Sequence, residues 1–154
     1  MDEVRTERLV GRRPLLRDAE ELEPMLPEWD WAGGVHARLI REMDHWRRHR
    51  FGRWVWRVDG RIVGMVGLLA VDEGVELAWF LDPACWGRGY ATEAARSSAA
   101  FAFDELGVDS ITARTEPANA RSRAVMERLG MVCEAEIEHA GLPHLLFRLT
   151  KSAS

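Results

Sequence analysis

The amino-acid sequence predicts an α+β fold in one domain, on three observations. The chain has 154 residues, 47% hydrophobic and 30% charged, the size and balance of one folded domain with a core of its own. Strand-like runs separated by turn residues fill much of the first half up to Leu81. From Ala91 the apolar period changes to that of a helix. The resulting order of strands, helix, strand, helix and strands defines a mixed, mostly antiparallel sheet flanked by helices. One domain over 1–154 is expected, with its core at about 6–150.

Leu9–Leu16 reads as a first strand, followed by an acidic, helix-prone stretch from Arg17 that Pro24 and Pro27 interrupt. Gly33-Gly34 breaks the chain before His36–His49, where Leu39, Met43 and Trp46 recur at helical spacing on an otherwise charged segment. Trp54, Trp56 and Val58 alternate with Val55 and Arg57 in a second strand. Asp59-Gly60 supplies a tight hairpin turn, and Ile62–Val71 returns antiparallel as a buried third strand. Val75–Leu81 is the fourth strand, stopped by Asp82-Pro83 because proline donates no ladder hydrogen bond. Ala91, Ala94, Ala95, Ala99, Ala102 and Leu106 mark one face of a helix that Gly107 can close. Ser110–Thr115 is a short fifth strand. Asn119 is a good N-cap for a helix running to Leu129, with Gly130 in the C-terminal capping position. Strands Met131–Glu138 and Leu145–Thr150 end the chain.

Composition removes several classes of function. The longest run free of charged or strongly polar residues, Ile62–Val71, falls well short of the roughly 18 residues of a spanning helix, so no membrane partner is expected. Met1–Leu9 carries Asp2, Glu3, Arg5, Glu7 and Arg8 with no apolar stretch behind them. No secretory signal is visible, and a cytoplasmic location is expected. Cys85 and Cys133 share no CxxC spacing; in a reducing compartment they read as free thiols, and no metal site is expected. A net charge of −4 speaks against a dedicated nucleic-acid binder. Arg47, Arg48, Arg50, Arg53 and Arg57 form a basic stretch around Trp46, Trp54 and Trp56. It reads as a solvated helix face and hairpin side with tryptophans in the core, and as a weak hint of an acidic substrate.

The chemistry-bearing stretch is Leu81–Ala94, a strand that stops abruptly and a loop, Gly87-Arg88-Gly89, that opens a helix. Backbone N–H groups at a helix N-terminus lack intrahelical acceptors and sit at the positive end of the macrodipole, so this layout can cradle phosphate oxygens. It is not a P-loop, because no lysine follows, and not GxGxxG, because Thr92 stands at the third glycine position.

Glu76–Pro83 followed by Trp86–Ala94, and then Asn119–Met131, resemble in order the acetyl-CoA strand, pyrophosphate loop and following helix of the GNAT superfamily of N-acetyltransferases. Thr6-Glu7-Arg8-Leu9 and Phe147-Arg148-Leu149 also fit the branch that includes the ribosomal-protein N-terminal acetyltransferases; only Asp18–Trp56 matches poorly. The resemblance implies a sheet splayed between the fourth and fifth strands, with acetyl-CoA in the opening. It implies that amides of Gly87, Arg88, Gly89, Tyr90, Ala91 and Thr92 hold the pyrophosphate, and that the pantetheine arm pairs with the backbone of Trp79, Phe80 and Leu81. Asn119 would reach the same arm, beside its equally good role as N-cap. Trp86 stands where many members carry Arg or Gln, a replacement familiar in this branch.

Acetyl transfer to an amine requires an ammonium to lose a proton and coenzyme A to leave as a thiol with pKa near ~8.5 or as its thiolate. Many family members supply a tyrosine as the acid, but Met126 occupies that position here and the only tyrosine is Tyr90. Ser122, one helical turn earlier, is the substitute candidate, with a plain polar helix residue as its other reading. Glu76, a carboxylate in an apolar strand, is the candidate base, and Glu116 the second choice. His139 and His144 lie near the C-terminal strands and are weaker candidates. The expected function is acetyl-CoA-dependent N-acetyl transfer to a primary amine, of a protein N-terminus or a small molecule, by direct attack. A catalytically silent acyl-CoA-binding module is the alternative, and a homodimer is left open.

Overall fold

The computed structural model describes residues 3–28 and 33–152. Eight strands form one sheet: β1 (Glu3–Arg5), β2 (Val10–Arg12), β3 (Arg53–Val58), β4 (Arg61–Val71), β5 (Gly74–Leu81), β6 (Ser110–Thr115), β7 (Val132–His139) and β8 (Leu142–Thr150). Their spatial order is β1-β2-β3-β4-β5-β6-β8-β7. Every neighbour pair is antiparallel except β5 and β6, which run parallel and are in register only at Glu76 and Thr112. The fourth and fifth predicted strands, now β5 and β6, therefore diverge at their C-terminal ends, as expected from the resemblance.

Helices cover both faces. α1 (Ala19–Leu22) and α2 (Val35–His49) lie on one face and α3 (Tyr90–Asp104) and α4 (Ala120–Leu129) on the other. Ala19, Leu22, Val35 and Leu39 pack with Val55, Met65 and Phe80, while Ala94, Ala95, Ala99 and Ala102 of α3 pack with Trp54, Trp56, Leu68, Leu77 and Ile111. Trp54, Val55 and Trp56 are consequently all buried. The tryptophans of the basic stretch are core residues, as its plainer reading had it. Arg47 is exposed and paired with Asp44, whereas Arg53 is buried against Glu42 with N–O distances of 3.0 and 2.6 Å.

The hairpin at Asp59-Gly60 has positive φ at both residues, 49° and 81°, the type that matches the strand twist. Three predicted boundaries need correction. The first strand does not run over Leu9–Leu16 but stops at Arg12, because Pro14 cannot extend a ladder, and it pairs with an additional strand, β1. The last strand begins at Leu142, not Leu145, since Ala140 and Gly141 take positive φ and close a hairpin there. Pro143 is tolerated because β6 pairs only with Leu145–Thr150 on the other side of β8. α3 ends at Asp104, so Leu106 falls in the turn that follows it.

Candidate active site

The divergence of β5 from β6 opens a cavity of about 880 Å³ between the end of β5, the loop that follows it and the first turns of α3 and α4. The local sequence makes each wall. Asp82 accepts a hydrogen bond from the Ala84 N–H (3.1 Å), turning the chain at Pro83 into a short 3₁₀ turn. Gly87 and Gly89 take φ of 82° and 80°, a left-handed conformation open to glycine, and Gly89 is the N-cap of α3. On the opposite wall the Asn119 Oδ1 accepts from the Ser122 N–H at 3.1 Å and starts α4.

Trp79, Phe80, Leu81, Gly87, Gly89, Tyr90, Ala91, Thr92, Asn119 and Ser122 all line this cavity. Arg88 does not: its carbonyl turns the other way and accepts from Arg8 (2.8 Å). Asn119 performs its capping role, and because capping uses the side-chain oxygen, a contact to a ligand would come from its amide nitrogen. Trp86 and Arg121 are further wall residues that sequence reasoning did not assign. The Arg121 guanidinium lies 3.7 Å from the Trp86 ring centroid, a cation–π contact that bridges the loop and α4. No sequence signal joins positions so far apart.

The wall suits an elongated anion with an apolar arm. The first N–H groups of a fifteen-residue helix open on it, and the Thr92 Oγ1 in the first turn is buried without a hydrogen-bond partner. Such an orphaned hydroxyl is costly unless a ligand oxygen satisfies it.

Glu76 and Glu116 are not on this wall. Glu76 is 13% exposed, on the sheet face away from α3, and its Oε2 accepts from both Nε and Nη2 of Arg114, each at 2.6 Å. The same guanidinium reaches the His139 Nδ1 at 3.2 Å, and His139 stacks edge-on with His144. Arg114 reaches Glu76 because Thr112, two residues before it, is the register partner of Glu76; that pairing is invisible in the sequence. Glu116 is exposed at the end of β6, where its carbonyl accepts the Asn119 N–H. Cys85 is half-buried beside the loop. Burial first, and then the Asp82 charge, push its thiol above the ordinary range, which opposes a role as a thiolate nucleophile. Met126 is 1% exposed and carries no proton to donate.

A splayed sheet with a glycine loop feeding a helix at the opening defines an acyl-CoA-type acetyltransferase fold. Residues 8–132 match the acetyltransferase (GNAT) domain model, and the chain belongs to that family. It is 35% identical to the FsC-acetyl coenzyme A-N(2)-transacetylase of Aspergillus fumigatus over 91 residues, 53% of this chain and 39% of that protein. It is 27% identical to the Bacillus subtilis protein YkkB over 112 residues, 66% of this chain and 65% of the relative. The chain thus spans less than two thirds of the length of either.

Among solved structures, an acetyltransferase from Agrobacterium tumefaciens is 26% identical with a TM-score of 0.82, covering 98% of this chain and 95% of that one. Two more distant structures share the fold. The microcin C7 self-immunity acetyltransferase MccE, in complex with acetyl-CoA and AMP, has a TM-score of 0.80 at 15% identity, covering 95% and 94% of the two chains. The ribosomal-protein-S5-alanine acetyltransferase of Vibrio fischeri has a TM-score of 0.78 at 20% identity, covering 98% and 97%.

Proposed function

We propose that this protein is an acetyl-CoA-dependent N-acetyltransferase that transfers acetyl to a primary amine by direct attack. The observation that carries the reading is the cavity at the β5–β6 divergence, walled by the α3 N-terminus with the unpartnered Thr92 hydroxyl in its first turn. In this reading the N–H groups of Gly87, Gly89, Tyr90, Ala91 and Thr92 bind the pyrophosphate, the backbone of Trp79–Leu81 pairs with the pantetheine arm, and the Asn119 amide contacts that arm. Ser122 donates to the departing sulfur. Glu76 accepts the ammonium proton through water at Oε1, since Oε2 is held by Arg114. Acetyl-CoA supplies the acyl group as a thioester, and the chain provides position and proton transfer.

The acceptor class we favour is an α-amine, whose pKa near ~7.7 to 8.0 asks less of a base than a lysine amine near ~10.4. The structural likeness to an acetyltransferase of a ribosomal-protein alanine supports the same class.

Gly87→Asp tests the cosubstrate site. Gly87 has φ of 82°, which aspartate tolerates better than most residues, and a Cβ there meets nothing within 4 Å. The variant should fold and, with a carboxylate in the anion cradle, lose acetyl-CoA binding in calorimetry; wild-type affinity would overturn the site. The buried Met126 favours one other reading, an acyl-CoA-binding module without turnover. Release of free coenzyme A thiol in the presence of peptide and small-molecule amines decides against it.

A further inference from the structure

The anion cradle is held from behind by a segment remote in sequence. Thr6–Leu9, the turn between β1 and β2, lies against the first turn of α3, where Glu93 receives three donors: the Thr6 hydroxyl, the Arg8 backbone N–H at 2.8 Å and the Arg8 Nε at 2.6 Å. The Glu93 side chain is 16% exposed; burial raises its pKa, but the Thr6 and Arg8 hydrogen bonds outweigh that and hold it below the ordinary range. The same guanidinium that binds Glu93 also donates from Nη1 to the Arg88 carbonyl at 2.8 Å, and it lies 4.8 Å from the Tyr90 ring centroid.

The last contact but one decides the orientation of a peptide plane. In a trans peptide the C=O and the following N–H point in opposite directions, so a hydrogen bond that draws the Arg88 oxygen outward turns the Gly89 N–H toward the cavity. Glycine at position 89, with φ of 80°, removes the steric barrier that would otherwise favour one orientation of this plane. Some other contact must choose it, and among the described residues the Arg8 guanidinium is the group bonded to that carbonyl. Glu93 fixes the guanidinium by Nε, which leaves Nη1 aimed at Arg88. Arg8 in turn neutralises a carboxylate one helical turn from the anion site.

We propose that Arg8 is a positioning residue for the cosubstrate. Anchored by Glu93, it sets the Arg88–Gly89 peptide before the ligand arrives, so that the Gly89 N–H is part of the anion cradle. The inference rests on the cosubstrate site proposed above, and it adds a determinant outside the cavity wall.

The test measures coenzyme A affinity by calorimetry, and KM and kcat by thiol release, for the full chain and for Arg8→Met and Arg8→Lys. Arg8→Met should weaken coenzyme A binding and raise the acetyl-CoA KM by roughly 10- to 100-fold, the range of one charge-assisted hydrogen bond. The acceptor KM and the kcat at saturation should stay within about twofold, a division that general loss of structure would not produce. Arg8→Lys keeps the charge but not the fork that spans Glu93 and Arg88, so it should not restore affinity. Full rescue by lysine would reduce Arg8 to a counter-charge and overturn the proposal. Unchanged affinity in Arg8→Met would overturn it too, provided Gly87→Asp abolishes binding; if Gly87→Asp also binds normally, the cosubstrate site itself is wrong. A variant melting at wild-type temperature with weakened binding would support it directly.

Discussion

In the proposed mechanism single side chains carry the proton chemistry, and both candidates are named from the sequence alone. Glu76 stands out in an apolar strand and Ser122 lies one helical turn before Met126; the Arg114 that grips Glu76 did not stand out, because only the pairing of parallel strands brings it there. Glu76→Gln should lower kcat by roughly 10² to 10⁴ with acetyl-CoA affinity unmoved. Ser122→Ala should slow the chemical step by about 2 to 3 kcal/mol if its bond strengthens as the sulfur gains charge. Single-turnover rates with saturating acetyl-CoA measure both, and wild-type rates would remove the residue from the mechanism. His45 predicts a pH dependence of stability. Its Nε2 accepts the Ala70 N–H at 2.9 Å and its Nδ1 faces the Phe51 carbonyl at 2.9 Å, so the neutral ring ties α2 to β4. Burial, aided by His49 and Arg53, lowers its pKa against the opposing Phe51 carbonyl and Glu42. A proton then prefers the unfolded chain, so this contribution is constant above about 6.5 and is lost as pH falls from there through the folded value. Melting temperature should drop between pH 7 and pH 5 by more in the wild type than in His45→Gln, which can still accept from Ala70; parallel profiles would refute it.

The elements themselves were largely readable from periodicity and caps. Asp59-Gly60, Asn119 and Gly130 act as predicted because each has a local conformational reason to be there. What escaped is how α2 seats on the sheet. Glu42 lies three residues after Leu39 and four before Trp46, on the apolar stripe, yet as a charged residue it was grouped with the solvent face. It is buried against Arg53, whose carbonyl also accepts the Trp46 Nε1 at 2.8 Å. Burial raises the Glu42 pKa, but the hydrogen bonds and charge of Arg53, with Arg38 and His45, more than offset this and keep it low. Removing one partner leaves a buried charge, so Glu42→Ala should cost about 3 to 5 kcal/mol in denaturant unfolding. Glu42→Leu with Arg53→Met should recover most of that, because a well-packed apolar pair needs no desolvation. A double variant as unstable as the single would show that the pair specifies the seat of α2.

At the scale of the whole molecule, the mixed sheet flanked by helices followed from length and pattern, while the additional edge strand β1 did not. Three residues are too few to show a period, and Glu3–Arg5 is strand only because β2 offers it a partner. Acetyl-CoA should stabilise the fold in proportion to its binding: at a hundred times its dissociation constant the gain is about 2.7 kcal/mol, or roughly 5 to 10 °C in Tm for a chain of this size. Thermal melts with acetyl-CoA, against ATP as an anion control, measure it, and equal shifts would indicate charge binding alone. The sheet has one more property that follows from the lone register point between β5 and β6. It is mechanically two panels, β1 to β5 and β6-β8-β7, joined along a seam that backbone hydrogen bonds scarcely stitch, with α3 and its core laid across both like a splint. The softest deformation of such an object is a rocking of one panel on the other. In the proposed reading the cosubstrate lies across that seam, so its departure asks only for a change of angle between the panels and leaves the ladders within each panel intact.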